Sequence, residues 1–489
     1  MTVPFFRAAP VALVWLFASL SLSAQTGWAL DPHAGISAAF LQPAATAGVP
    51  YDWDVHLGAA AVGLSNNYAF LSNASGMGFL NNLRRREESD FENRESSFTV
   101  GGNQYSYGFP DGSRKPFARV EADLLGPSFS VQVGRFTRVG AFTRARVAGG
   151  FQNIAPRLNH TPYTETNNGV PIAVGAATTA AAAWGEVGLH LSHAFLAGAD
   201  GELRFGVSPR YLLPVQGAAV RVPEGMQLEQ VEGDSIILIA TDAEIAITDN
   251  FFSSAAGREG GGSGFAVDLG VQYAWGDTEA KGYRYSVGVS LLDLGGLTFD
   301  RGARRIRFSN EGRVLLDGAD YGFNNADSLD FAIERLSRDV NGTPDEAATI
   351  ANSFRLNLPT AVSVQFAYRP LEAVQIAAAY RGGITNGGLT TGREALVTAQ
   401  YSRWWYGGGL SVGVYDWREV NVGLQLRAGP LYLGTDRLFG TLLKSRRLDG
   451  GSFYFGLRIT DFRPGSGKSG RGKRGGRKGG KSKLGCYQF

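Results

Sequence analysis

A chain of 489 residues is long enough for two or three ordinary soluble domains or for one very large sheet. Only 19% of its residues are charged, while 67 are glycine and 11% are aromatic, so there are too few charges to cover a soluble protein of this size. The formal net charge is +3, and the profile suits a protein whose outer surface does not face water.

Arg7 gives a positive start, Val11 to Leu22 is a short apolar run, and Ser21, Ser23 and Ala24 are small residues ahead of Gln25. This pattern predicts a secretory signal peptide over 1–24, cleaved after Ala24. The run falls short of the roughly 20 apolar residues that a helix needs to cross a bilayer. The next apolar candidate, Ile172 to Trp184, is short and mostly alanine. Cys486 is the only cysteine, so no internal disulfide can form at an oxidising destination, and no cysteine near residue 24 can carry a lipid anchor. Residues 25–50 form an N-terminal segment that could plug the domain that follows.

That domain, 51–462, opens with "YDWDVHLG". Asp52, Asp54 and His56 stand at every second position, a spacing that could gather metal ligands or an acid–base pair. Side chains of a strand alternate faces, so these three form one polar face and Trp53, Val55 and Leu57 the apolar one. The alternation recurs. Leu203, Phe205 and Val207 oppose Arg204, Gly206 and Ser208; Phe265 to Tyr273 oppose Asp268 and Gln272; Tyr283 to Val289 oppose Arg284. Val362 to Tyr368 and Val420 to Leu426 repeat it.

A soluble sandwich also alternates, so three further features decide the reading. The segments run to about ten residues, their polar faces are rich in Gly, Ser, Arg and Gln, and aromatics stand near strand ends. The aromatics are Trp184, Trp275, Tyr401, Trp404, Trp405, Tyr406, Tyr415 and Trp417, read as interfacial girdles. Only a closed barrel satisfies every backbone group of a sheet in hydrocarbon. The expectation is all-β: a single transmembrane antiparallel β-barrel of about 14 strands, within a range of about 12 to 16. Asp52, Asp54, His56, Asp268, Gln272 and Arg284 are expected to line its lumen.

The connections are unequal. Short turns such as Arg369 to Ala373 and Ala428 to Pro430 contrast with long segments at about 65–115, 148–182, 213–263 and 295–358, which are placed outside the cell. One of them, "NNADSLDFAIERLSRDVNG", predicts a helix capped by Asn325 or Asp327, with Leu329, Ile333 and Leu336 on one face.

No catalytic residue, metal site or cofactor emerges. His190 and His193 stand three apart on a strand and face opposite ways. Asp54 with His56 lacks any accompanying nucleophile motif. "GREGGGSG" at 257–264 has the glycines of a phosphate cradle without the Lys and helix that must follow, and reads as a flexible loop.

Five blocks carry a resemblance: "GPSFSVQVGRFTRVGAFTRARV" (126–147), "WGEVGLHLSHAF" (184–195), "SVGVSLLDLGGLTF" (286–299), "LPTAVSVQFAYRP" (358–370) and "GLQLRAGPLYLGTDRLFG" (423–440). In that order, with "SNNYAFL" at 65–71, they resemble an uncharacterised outer-membrane β-barrel family of Bacteroidota-type bacteria. The resemblance runs from about 50 to 462. It implies a barrel similar in shape to long-chain fatty-acid transporters and to barrel accessories of type IX secretion and gliding machinery, and it implies no reaction.

The last strand, "GSFYFGLRITDF", is followed by a tail over 463–489 with Lys468, Arg471, Lys473, Arg474, Arg477, Lys478, Lys481 and Lys483 and no acid. Without these eight the formal charge of +3 becomes −5. Gly, Ser and Lys cannot build a core, so disorder is expected. The tail is expected in the periplasm, binding cell-wall carboxylates or anionic lipid, and not nucleic acid. The whole reads as a non-enzymatic outer-membrane barrel, surrounded by outer-membrane lipid and inserted by the barrel-assembly machinery. Its function is a channel or transporter for small hydrophobic solutes or, alternatively, an accessory barrel of a surface-assembly or secretion complex.

Overall fold

The computed structural model describes residues 26–83, 97–108, 116–153, 169–196, 201–231, 235–251, 260–278, 282–317, 327–384 and 388–461. The expected signal peptide and basic tail lie outside the described residues.

Fourteen antiparallel strands close into a barrel. They are β1 (Trp53–Asn66), β2 (Phe117–Leu125 and Ser128–Val133), β3 (Thr137–Gln152), β4 (Ala177–Leu196) and β5 (Gly201–Val222). Next come β6 (Gly261–Thr278), β7 (Gly282–Arg301), β8 (Phe354–Asn357 and Ala361–Leu371), β9 (Val374–Gly383) and β10 (Arg393–Ser402). The last four are β11 (Tyr406–Tyr415), β12 (Glu419–Ala428), β13 (Leu431–Thr435) and β14 (Gly450–Thr460). Each pairs with its sequence neighbour, and β14 returns to β1, from Asp54 opposite Thr460 to Ser65 opposite Gly450. Closure leaves no free edge, which an open sheet of this length would otherwise expose.

The alternation read from the sequence appears as two surfaces. On β4, Val187, Leu189 and Leu191 are exposed, Leu189 to 64%, whereas Glu186, His190 and Ser192 are buried. On β6, Phe265, Leu269 and Val271 face out while Asp268 and Gln272 are buried. Apolar outside and polar inside inverts a soluble core. Strands β9 to β12 are ten residues each. At about 3.4 Å per residue and a tilt near 40°, they match an apolar band about 25 Å tall.

The wall is uneven in height because β4 and β5 run to 20 and 22 residues. Several stretches expected as loop are therefore wall: 148–152, 177–182, 213–222, 295–301 and 354–357. Their alternation was hidden because their inner face is apolar as well. Trp184, Leu212, Leu297, Phe299, Phe354 and Leu356 pack there in one cluster toward the long-loop rim. The second half of "GREGGGSG" is also strand, since Gly264 pairs with Leu212 and Leu297. A side chain at Gly262 would collide with the Thr298 carbonyl; residues 252–259 lie outside the described part.

The alternation also slips. In β7, Leu292 and Asp293 are both buried and Asp293 has φ of 55°, a β-bulge that changes the inward parity from Ser290 to Leu297 and Phe299. Strand β5 slips between Pro214 and Gln216. The expected helix forms over Asp327–Asn341, and its Ile333 and Val340 are buried in one cluster with Ile306, Phe308 and Val314 of an antiparallel strand pair (Ile236–Thr248 with Ala303–Leu316) at the long-loop rim. A four-stranded sheet of Phe70–Ala74, Ser97–Val100, Asn103–Gly108 and Ser445–Leu448 stands on the same rim.

Candidate functional site

Strand β1 sets the inner wall near the short-turn rim. Asp54 and His56 are both fully buried. Asp54 Oδ2 accepts the Ile36 N–H at 3.0 Å, and Oδ1 accepts from the Ser130 hydroxyl of β2 and lies 3.5 Å from Arg138 Nη1 of β3. Arg138 also donates to Ser130 Oγ at 2.9 Å and to the Tyr51 carbonyl. His56 Nε2 stands 3.6 Å from Asp54 Oδ2, outside hydrogen-bond range, and its ring meets Tyr432 edge-on at 6.1 Å. Asp54 thus holds a segment and an arginine in place; it does not activate the histidine.

The segment it holds is residues 26–50, which lie inside the barrel. It is a helical turn (Thr26–Ala29) and two 3-10 turns, Gly35–Phe40 and Pro43–Gly48, and wall side chains donate to carbonyls at and between these turns. Gln375 donates to the Leu30 carbonyl at 2.7 Å, Gln400 to Gly27 at 2.9 Å, and Ser290 and Gln365 to Leu41 at 2.6 and 3.1 Å. Thr46 Oγ1 pairs with His190 Nε2 at 2.6 Å and Ser192 Oγ at 2.7 Å. Apolar anchors complete the seat: Trp28 stacks on Tyr432 at 4.1 Å and Phe40 meets Phe142 edge-on at 5.1 Å. His33, within the segment, is held below the usual histidine range by burial; Asp31 opposes the shift, and Arg427 and Arg458 reinforce it.

Above the segment lies a layer of ion-paired charges. Arg146 meets Asp293 at 2.8 Å and Glu186 at 3.3 Å. Arg210 meets Asp268 at 2.6 Å, Asp293 at 3.0 Å and Glu186 at 3.1 Å. Trp184 Nε1 donates to Glu186 at 2.8 Å. A small pocket of about 50 Å³ lies between this layer and Phe40 and Leu41, with Asp123, Arg144 and Arg381 on its walls. Toward the long-loop rim the charges give way to the apolar inner cluster around Leu297 and Phe299.

The residues expected to line the lumen divide. Asp54, His56, Asp268 and Gln272 are buried, Gln272 accepting from Arg204 at 2.9 Å. Asp52 is exposed one residue before β1 begins, and Arg284 is exposed near the start of β7. The tail residues Lys468 to Lys483 lie outside the described part. Two aromatics read as girdle are corrected. Trp184 is 1% exposed and faces inward, because it shares parity with Glu186 and His190. Tyr415 turns inward under the Arg437 guanidinium at 4.3 Å. The outer band does carry an aromatic row, Tyr273, Trp275, Tyr285 and Tyr368, stacked at 5.1 to 5.5 Å.

Sequence reasoning missed Arg138, Arg146, Glu186, Arg210 and Asp293. Glu186 shares the parity of His190 and Arg210 that of Ser208, and that signal could have found them; no face was assigned on β3, which carries Arg138 and Arg146. The parity of Asp293 is set by the bulge. His193 faces out, donating to or accepting from Thr137 at 2.8 Å, while His190 faces in. Among the described residues no three His, Cys, Asp or Glu side chains are placed to hold a metal ion.

Residues 43–436 match the family of unknown function DUF5723. The chain belongs to that family. No curated protein sequence matches it. Among solved structures, it is similar to a TodX monoaromatic hydrocarbon channel mutant lacking S2 and S3, with TM-score 0.36 and 10% identity over 87% of this chain and 93% of that one. It is similar to the translocator domain of the autotransporter NalP from Neisseria meningitidis, with TM-score 0.31 and 9% identity over 83% and 88%. A Pseudomonas aeruginosa FadL homologue gives TM-score 0.29 and 12% identity over 91% and 100%. The barrel architecture of this family member rests on its own strand pairing.

Proposed function

We propose that this DUF5723 protein is a non-enzymatic outer-membrane barrel that passes small apolar solutes through a lumen closed at rest by residues 26–50. The observation that carries the location is the inverted polarity of the closed wall: rows of Val, Leu and Phe outside, carboxylates, arginines and glutamines inside. That surface is stable only where its outside is solvated by lipid. The short-turn rim, where β1 starts and β14 ends, is assigned to the periplasm, and the long-loop rim to the exterior. Solute passage is supported by the apolar inner cluster at the outer end, a surface that an aqueous pore would not need. Solutes would cross the paired charge layer only when the segment shifts, because Phe40, Leu41 and Trp28 fill the lumen beneath it.

The test is conductance and solute flux in reconstituted vesicles. The intact protein should be nearly closed, and a variant lacking residues 26–48 should open, passing toluene-sized solutes faster than ions. A variant as closed as the intact barrel would overturn the transporter reading. The alternative, an accessory barrel of a surface complex, is favoured by the rim strand pair, its helix and the short strand Thr349–Ala351, which expose Leu315, Phe331 and Ile350 in turn. Copurification of a stoichiometric partner through that rim, with no flux in either form, would select it.

A further inference from the structure

We propose that the outer face between β12 and β14 is a binding site for a phosphorylated lipid of the outer leaflet, an acyl chain lying on Phe439, Leu442 and Leu443 and the phosphate on Lys444 and Arg446. Strand β13 has five residues, against ten in β12 and eleven in β14. Its pairing with β12 stops at Thr435 opposite Leu424, and with β14 at Gly434 opposite Tyr454. Over the outer half of the wall, from Glu419 to Gly423 and from Gly450 to Phe453, no described strand lies between β12 and β14. Residues 436–444 occupy that break. Asp436 and Arg437 turn inward and donate their backbone N–H groups to Ser452 Oγ at 2.8 and 3.1 Å, while Thr441 Oγ1 accepts the Ser452 N–H at 2.8 Å. Gly440, with φ of 90°, turns the chain sharply here. Phe439, Leu442 and Leu443 are left on the outside at 52%, 42% and 48% exposure, with Val420 of the unpaired stretch of β12 at 70%.

The chain changes character where it leaves the apolar band. Lys444 leads at once into Ser445–Leu448, a strand of the sheet on the long-loop rim, so the apolar side chains stay beside lipid and the cations that follow stand above it. Trp417, exposed in the β11–β12 turn at the top of the same wall, marks the headgroup level. From Arg437 to Arg447 the sequence holds four cations and no acid. Arg437 faces inward, over the Tyr415 ring and with Nη2 at 3.1 Å from Ser65 Oγ, and Arg447 lies over the Phe70 ring at 4.5 Å. Lys444 and Arg446 are exposed, and neither side chain has an ion pair or hydrogen bond among the described residues. Other rim arginines do have acid partners: Arg305 meets Glu244 at 3.4 Å and Arg307 meets Asp242 at 3.2 Å. Ammonium and guanidinium groups bind phosphate through charge-assisted hydrogen bonds. A lipid phosphate brings that anion together with an acyl chain for the apolar trio below, which a free phosphate does not. This inference rests on the long-loop rim facing outward and not on what the barrel transports.

The test is lipid binding by the full-length barrel in nonionic detergent, read by native mass spectrometry as bisphosphorylated lipid A is added. The barrel should bind it in preference to the dephosphorylated form, and inorganic phosphate at equal concentration should not displace it. Lys444→Gln with Arg446→Gln should leave the barrel folded and raise the dissociation constant at least about tenfold, as losing two cations at an anionic headgroup implies. Phe439→Ser with Leu442→Ser should weaken binding of both lipid forms. Arg135→Gln removes a cation from the turn between Val133 and Thr137 on the opposite rim and should change nothing. Unchanged affinity in either double variant, an equal loss in Arg135→Gln, indifference to the lipid phosphates, or displacement by inorganic phosphate would each overturn the proposal. Orientation is read separately: in a Cys486→Ser background, Glu311→Cys on the long-loop rim should react with a membrane-impermeant maleimide on intact cells. Lipid A binding without that labelling would refute the outer-leaflet source, whereas labelling without binding would refute the site itself.

Discussion

At the scale of single residues, the interior is built from polar groups with specific partners, and their removal should be felt at a distance. Asp54→Ala deletes the acceptor of the Ile36 N–H and takes a carboxylate away from buried Arg138. Breaking a buried pair costs about 3 to 5 kcal/mol, so urea unfolding of the detergent-folded barrel should shift by that amount, with Asp54→Asn losing less. His33 gives the segment a pH dependence. Its folded pKa lies below the ordinary value of 6.5, so on acidification the undocked segment takes up a proton that the docked one resists. Docking is at full strength above pH 6.5 and weakens as pH falls below it. Reactivity of a cysteine placed at Ala45 should rise as pH drops below 6.5, and His33→Gln should flatten that rise. That Asp54 and His56 share a face was legible in "YDWDVHLG"; that Asp54 serves Ile36 and Arg138 was not, since those partners come from 18 residues upstream and 84 downstream.

Among the elements, the bulge in β7 does most to shape the lumen. It turns Asp293 toward Arg146 and Arg210 and switches Leu297 and Phe299 to the inner face. Deleting Asp293 would restore simple alternation and move both apolar side chains to the opposite face, since a one-residue slip flips a whole strand. The deletion should leave no heat-resistant folded band. Asp293→Gly, which keeps the backbone its φ of 55° requires, should fold with reduced stability. The rim helix Asp327–Asn341 was readable because its apolar spacing is local. The two 3-10 turns of residues 35–48 were not, because they carry no period and their place is fixed by wall side chains such as Asp54, Ser290 and Gln365.

For the whole molecule, closure dictates behaviour in the membrane. The protein should fractionate with outer membranes and migrate differently on gels before and after boiling, because a closed barrel keeps its hydrogen-bonded sheet in detergent; recovery in the soluble periplasm would contradict the location. Both barrel ends lie on the short-turn rim, so a tail following β14 starts on that side. Deleting 464–489 should leave the barrel folded and reduce its retention on anionic vesicles at low salt. The effect should vanish near 1 M salt, where the Debye length is about 3 Å. Labelling of an epitope after Lys483 on intact cells would place the tail outside.

Period-two alternation is a property of neighbouring residues, and so the strands, their two faces, the unequal connections and the barrel class could be read along the chain. Trp184 and Tyr415 escaped that reading because an aromatic near a strand end looks the same in sequence whether it meets lipid or the lumen, and only strand parity within the closed wall separates the two. The occupant of the lumen and the charge layer joining β3, β4, β5, β6 and β7 were decided by tertiary structure alone. Closing the barrel brings together groups as far apart as Thr26 and Glu394, 368 positions distant, and no local pattern encodes which side chains will meet across a lumen.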